Sequence, residues 1–374
     1  MASLEAILGA RNLTGLIQTT ASKVKRVLGD EWFKVTRKTH GNTAEFITVP
    51  GQRQNARNVG YGAPPKLATL RNIGGVPTVL IHSFEQSNIG ATTLINLLKA
   101  NSEDQGQRDE LGKEEVVREV TAFRDKFENL RTSVAQMQLF TNHLFFDKDG
   151  VLLSSASGMA FDAGPGIPAA NCGHVTAGGN TNGLVGSWDT TSTDIIGQLS
   201  KLFNLSVQQK GFPITQAFYG TNIPGYIGAN TTAQQFIRYN LPAAKEYWAG
   251  GTIPQGFGNI AKWTATGQAF FATEDSSGTE TIYTYMDPDT IVFTPDPDPS
   301  WYEVIEGSYP VPQSIDLKAT AEMAASDFRE EYGKFSFAKV NYAPPQLEMF
   351  MGDTFAMQIR NAGVVYIVKV KGTT

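Results

Sequence analysis

One stretch constrains this chain more than any other. Between Gly112 and Phe146, the residues Val116, Val120, Phe123, Phe127, Leu130, Val134 and Met137 follow one another at alternating steps of four and three, and Leu144 lies one further repeat on. That rhythm puts the apolar side chains on a single face of an α-helix. The other faces carry Glu114, Arg118, Glu119, Arg124, Asp125, Glu128 and Arg131. Glu114 with Arg118, and Arg124 with Glu128, are spaced to pair one turn apart. A helix over 112–146 would be ~50 Å long at ~1.5 Å per residue, longer than one small core needs. The repeat stops near Thr141 and no zipper-like leucine series follows, so the pattern predicts a spine laid on another layer and not half of a coiled coil.

The rest of the chain is mixed. Its 374 residues correspond to roughly two domains of ~150. Its 37 glycines exceed the usual ~7% and imply many turns. Residues 1–50 read as a short helix, with Leu4, Ile7, Leu8 and Ile17 as a weak stripe, followed by strand-like runs at Trp32, Phe33 and Val35 and at Phe46, Ile47 and Val49. Residues 51–80 are broken by Gly60, Gly62, Pro64, Pro65, Gly74, Gly75 and Pro77, yet Leu67 and Leu70 could pair with Val79 and Ile81 as a long two-stranded excursion. Compact domains seldom keep so long a loop without a task for it. Asp147–Gly150, between Phe145-Phe146 and Val151–Leu153, predicts a tight reversal. Residues 157–187 read as glycine-rich loop. Helix, strand and helix then alternate over Asp194–Leu205, Ile214–Tyr219 and Asn222–Ile237, which predicts an α/β subdomain. Ala269–Thr273, Glu280–Tyr285 and Ile291–Phe293 read as strands. Phe355–Ile359 and Val364–Val370 around Asn361–Gly363 read as a terminal hairpin. The expected class is α+β.

Charge is unevenly placed. The net charge is −5, and charged residues make up 18% of the chain against the usual ~25%. Residues 1–84 hold 11 Lys/Arg and 4 Asp/Glu, so the rest of the chain carries the acidic excess. Phe46–Phe84 contains Arg53, Arg57, Lys66 and Arg71 and no carboxylate. An ordinary solvated loop fits this, and so does a basic arm that lies on the acidic body of a neighbouring copy, where such charges steer and register partners. A nucleic-acid arm fits less well, because dense Lys/Arg runs are missing. The lone Cys172 excludes a disulfide framework and suits a reducing compartment. Met1–Ala10 lacks the basic-then-apolar pattern of a secretory leader, and no ~18-residue apolar run could span a membrane.

The usual chemical constellations are missing. The four histidines, His40, His82, His143 and His174, show no zinc-helix spacing. His143, near the end of the spine pattern, suits a core or capping role better than a catalytic one. Cys172-Gly173-His174 places a thiol near an imidazole, but i and i+2 in a loop rarely align as a nucleophile pair. Asp147–Gly150 lacks the further acids of a calcium loop. Asp287, Asp289, Asp296 and Asp298, set among Pro288, Pro295, Pro297 and Pro299, could hold a cation but read more simply as solvated loops. No catalytic, cofactor or metal residue is assigned, and no enzymatic activity is expected.

A set of segments, taken in order, resembles the phage-lambda-type major capsid protein family, major capsid protein E of tailed bacteriophages. They are Leu67–Arg71 with Val76–Glu85, Lys113–Val117 with Phe123–Arg131, Phe146–Gly150, Trp188-Asp189 with Thr193–Ile195, and Ala217–Gly220 with Asn222–Tyr226. The resemblance runs from about Phe46 onward. It implies the Hong Kong-phage-type capsid fold, with an N-terminal arm (1–50), an extended two-stranded loop (51–84), a peripheral domain (85–185) holding the spine helix, an axial α/β domain (186–265), and return strands with the hairpin (266–374). It also implies self-assembly through hexamers and pentamers into an icosahedral shell around double-stranded DNA in the virion, assembled in the host bacterial cytoplasm. Scaffold, portal and decoration proteins would be the partners, with no membrane and no sequence-specific DNA binding. An encapsulin-like cargo shell and a soluble hydrolase are the alternatives.

Overall fold

The computed structural model describes residues 10–19, 27–41, 43–48, 74–90, 105–148, 152–153, 155–175, 182, 184–239, 253–266, 270–274, 280–284, 286–312, 328–342 and 345–372. The elements run in chain order as α1 (Ala10–Thr19), β1 (Arg37–Thr39), β2 (Thr43–Thr48), β3 (Gly74–Val79), β4 (Ile81–Gly90), α2 (Gln105–Gln136), β5 (Phe145–Phe146), β6 (Leu152–Leu153), β7 (Phe161–Asp162), β8 (Cys172–His174), α3 (Ile195–Leu205), β9 (Gln216–Tyr219), α4 (Ile223–Ala229) and α5 (Thr231–Tyr239). There follow β10 (Lys262–Ala265), β11 (Phe270–Glu274), β12 (Glu280–Thr284), β13 (Thr290–Thr294), β14 (Tyr302–Pro312), β15 (Phe328–Tyr332), β16 (Lys334–Tyr342), β17 (Pro345–Ile359) and β18 (Tyr366–Lys369).

The apolar stripe does form a long helix, α2, but its ends differ from 112–146. It begins at Gln105, passes after Gln136 into a wider π turn at Met137–Thr141, and stops at Asn142 with φ 62°. The Asn142 side chain accepts from Ile167 N at 2.8 Å and donates to Ile167 O at 3.3 Å, which turns the chain aside. Phe145-Phe146 is then released from the helix and pairs antiparallel with both Leu152-Leu153 and Phe161-Asp162. The reversal expected at Asp147–Gly150 is present as the β5–β6 pairing.

Two sheets organise the molecule. In the six-stranded sheet β17 is the hub. It pairs with β4 along one edge and with β16 and then β14 along the other, and β1 and β15 join through β14. The stripe of α2 (Val116, Val120, Phe123, Phe127) packs with Ala338, Leu347, Met349 and Met351 of this sheet. Helix α1 completes that core with Leu13 and Ile17. It also seals the β16 edge. Thr14 Oγ1 donates to Ser336 O at 2.9 Å and accepts from Ser336 N at 3.2 Å, and Gln18 Nε2 donates to Lys334 O at 2.9 Å. The second sheet has the order β10-β9-β13-β18-β8 and packs with α3, α4 and α5 around a separate apolar core. Its strands come from 172–174, 290–294 and 366–369 as well as from within 186–265.

Three expectations need correction. Trp32 and Phe33 lie in a 3-10 turn, Asp30–Phe33, instead of a strand. Trp32 is buried edge-on against Phe218, Trp301 and Tyr302, a cluster that an exposed strand could not reach. The expected single strand through Val79 and Ile81 is split, with Gly74–Val79 paired to Thr43–Thr48 and Ile81 to Phe355 in the main sheet, while Leu67 and Leu70, the partners expected for it, lie outside the described residues. The terminal hairpin does not form. After Ile359, the amides of Arg360 and Asn361 both donate to Trp301 O, at 2.6 and 3.2 Å, and a 3-10 turn at Ala362–Val364 carries the chain to the other sheet. There β18 is an inner strand between β13 and β8, with Tyr366 and Val368 in one core and Ile367 packed on the other. A strand apolar on both faces suits an inner position better than a two-stranded hairpin.

Candidate assembly site

The residues with special environments lie where α2 and the β2–β3 ribbon meet the six-stranded sheet. Arg131 projects from α2 into the sheet and is fully buried. Its Nε and one terminal nitrogen reach the two Asp353 oxygens, both at 2.6 Å, and that terminal nitrogen also contacts Glu306 at 3.1 Å. Burial works against the Arg131 charge, but Asp353, then Glu306 and Glu128, outweigh it and hold the guanidinium protonated. The guanidinium also stands 5.0 Å over the Phe355 ring. One turn earlier, Glu128 binds Lys334 and, at 3.8 Å, Arg124. Desolvation, with the nearby Arg131 charge, lowers the Lys334 pKa. These groups fix the register of α2 on β16 and β17, because no half-turn slide keeps their partners.

The ribbon of β2 and β3 joins the same sheet. Gly41, at φ 80°, donates its N–H to Ser308 Oγ at 3.1 Å. His40 Nδ1 lies 2.8 Å from Glu330, in a pair exposed on both sides. His82 Nδ1 lies 3.0 Å from Thr354 Oγ1, and burial lowers its pKa. Between the two connections, Leu80 is buried with Ile305 and Ala356. The basic residues Arg53, Arg57, Lys66 and Arg71 lie outside the described residues. On α2, Glu114 is exposed and Glu119 accepts from Ser87 Oγ at 3.1 Å.

The face of the sheet turned away from α2 carries an aromatic platform. Side chains alternate along β17, so Met349 and Met351 face the helix while Phe350 faces outward. Phe84, 49% exposed, stacks with Tyr309, Phe335, Phe337 and Phe350 at ring separations of 5.8 to 6.2 Å. Gly352 stands opposite Phe84, and a Cβ there would collide with the Phe335 ring.

The residues considered for chemistry are engaged locally. Cys172 pairs with Ile367 on the β8 strand, and burial raises its thiol pKa. His174 lies two residues along the same strand, opposite Lys369. His143 is exposed, not buried, and its Nδ1 meets Asp162 at 2.6 Å. Burial opposes the Asp162 charge, but the Leu144 amide, the His143 ring and the Gly164 amide together hold its pKa below the usual value. Asp287 takes Lys369 at 2.6 Å, and Asp289 accepts from Tyr226 at 2.6 Å and Asn222 at 2.8 Å. Burial, then Asp289, pushes the Tyr226 hydroxyl up to about 12. Asp296 accepts from Gln216 at 2.7 Å, and Asp298 from Ser300 N at 2.8 Å. Among the described residues no group of three His, Cys, Asp or Glu could hold a metal ion, and no helix is long and apolar enough to cross a membrane.

A capsid protein inferred for a prophage of Escherichia coli CFT073 has the same course over 97% of this chain and 99% of its own, at 13% identity and a TM-score of 0.50. This is the phage-capsid fold. A phage-related protein of Bordetella bronchiseptica RB50 is similar over 99% of this chain and 98% of its own, at 10% identity and a TM-score of 0.47. The capsid of Ralstonia phage GP4 is similar over 91% and 87%, at 12% identity and a TM-score of 0.43. No family model and no curated protein sequence matches the chain. The α+β class expected from the sequence is the class of this phage-capsid fold. What sequence reading missed is the partner set of Arg131, since Glu306 and Asp353 lie far along the chain and no local spacing announces them.

Proposed function

We propose that this chain is the major capsid protein of a tailed phage, of the lambda type, and that many copies tile an icosahedral shell as hexamers and pentamers. The phage-capsid course over nearly the whole chain supports this reading most directly. In it, α2 is the spine of a peripheral domain and the β2–β3 ribbon is the root of the extended loop. The unit built on α3, α4 and α5 is the axial domain that meets symmetry mates within each capsomer. The basic residues of 53–71 lie on the acidic body of a neighbour. The work of the chain is structural and not enzymatic.

An acidic body also suits a DNA container. A basic wall would grip phosphates and hinder packaging and release. Scaffold, portal and decoration proteins are the partners proposed from the lambda-type resemblance, with assembly in the host cytoplasm and residence in the virion.

Sedimentation velocity of the purified protein, with negative-stain imaging of the fast fraction, tests the reading. Shells, capsomer rings or tubes are expected. A ~40 kDa monomer at high concentration, with scaffold and crowding agent present, would overturn it. Closed particles filled with a protein cargo and no DNA would replace it with the encapsulin-like reading. Deleting residues 53–75 should leave a folded subunit that assembles poorly, and wild-type assembly of that deletion would remove the loop from the mechanism.

A further inference from the structure

We infer that Leu80, set in a slot over Gly307, is the positioning residue that fixes the direction in which the β2–β3 ribbon leaves the body. Strand β14 runs beside β17 only from Tyr302 to Glu306, with Glu306 opposite Phe355 as the last pair. From Ser308 it turns to β15, so the sheet forks at Gly307. Leu80 fills that fork. It is 2% exposed and makes a small apolar cluster with Ile305 and Ala356. The slot exists because residue 307 has no side chain. A Cβ there would overlap Leu80 Cδ1 and Thr354 Cγ2.

The fork also holds both legs of the ribbon. Thr39, the last residue of β1, stands opposite Gly307, and Ile81, the first of β4, stands opposite Phe355. The two legs are held differently. The β1–β2 leg crosses at Gly41, whose positive φ suits a residue without Cβ, and its other tethers are the exposed contacts of His40 with Glu330 and with the Tyr332 hydroxyl and ring. An exposed pair of that kind constrains weakly. The β3–β4 leg has no slack, because Leu80 is the single residue between the two strands. Its side chain is locked by shape on the body side while its backbone continues into the ribbon. The direction of the ribbon therefore follows the fit of one side chain, and the His40 leg follows it.

That this direction matters for meeting a neighbour rests on the shell reading, but the seat itself does not, so the test uses the unassembled subunit. Spin labels at Thr78→Cys on the ribbon and Lys339→Cys on the sheet, in a Cys172→Ala background, report their separation by double electron–electron resonance. The parent should give one narrow distance. Leu80→Ala should broaden it or split it, Gly307→Ala should shift it by displacing Leu80, and Leu80→Met should restore the parent distribution. If Leu80→Ala fails to fold, Leu80→Val with Gly307→Ala carries the test. An unchanged narrow peak in folded Leu80 and Gly307 variants would overturn the inference. So would a parent peak as broad as that of Leu80→Ala. Loss of shells with an unchanged ribbon distance would count against the seat and leave the shell reading intact.

Discussion

The two sheets are closed by different physics. Every buried charged residue among the described ones, Glu128, Arg131, Glu303, Lys334 and Asp353, belongs to the spine helix or the six-stranded sheet. The core around β9, β13 and β18 is apolar, with Leu199, Ile227, Phe257 and Phe293 fully enclosed, and its ion pair Asp287–Lys369 is at the surface. An apolar core of suitable shape tolerates small slips of its helices. A helix locked by a bidentate Arg131–Asp353 pair does not, since a slipped register leaves a charge buried without a partner. The contrast suggests that the spine lobe is built for register and the α/β lobe for packing.

The largest expected effect sits in the first lobe. Asp353→Ala leaves Arg131 charged and buried, and should cost about 3–5 kcal/mol in urea unfolding. Replacing both partners, Arg131→Met with Asp353→Leu, should recover much of that loss, because the buried Arg131 and Asp353 charges go together and only the partly exposed Glu306 loses a contact. A cost below about 1 kcal/mol for Asp353→Ala would place the pair in the surface class and erase the contrast. In the second lobe, Leu199→Ala opens a cavity beside Gly258 and should cost about 2–5 kcal/mol. Leu199→Met should cost under about 1.5 kcal/mol, as volume-conserving changes do. A large penalty for Met would show that this core, too, demands a fixed register.

Smaller effects sharpen the picture. Asp194 caps α3 by accepting from Gly197 N at 2.9 Å, and Asp194→Ala should cost about 1 kcal/mol in thermal or urea unfolding. An unchanged midpoint would mean that packing alone holds α3. The smallest effect is that of the Asp162–His143 pair. Because the folded pKa of Asp162 is depressed, its contribution is present above the ordinary aspartate value, about 4, and fades as pH falls through the folded value. Asp162→Asn should flatten that acid limb of the stability profile. A limb unaltered in Asp162→Asn would assign it to other carboxylates.

The sequence carried the local physics and lost the distant. The 3–4 rhythm of Val116 to Met137 located α2, because helical periodicity is written in neighbours. Its far end was misjudged because the π turn keeps Met137, Leu139 and Phe140 buried while changing the pitch, and because Asn142 closes it through a bond to Ile167. The apolar runs at 355–359 and 364–370 were correctly read as strands and wrongly joined to each other. Period-2 alternation identifies a strand but does not name its partner. Arg131 read as a charge on an outer face of the helix, no local pattern marks Asp353 or Lys334 as its neighbours, and the seat of Leu80 depends on a glycine that lies more than two hundred residues away.

Strand β17 has a consequence for synthesis. Its partners include Ile89, opposite Leu347, and Tyr302, opposite Ile359, and β18 follows to complete the other sheet. The six-stranded sheet cannot acquire β17 until Ile359, nor the other sheet β18 until Lys369, has left the ribosome. Contacts so distant along the chain make folding slow and leave the earlier strands waiting with open edges. For the proposed shell subunit, this ordering would act as a timer, since a nascent subunit still lacks the surfaces on which neighbours would build.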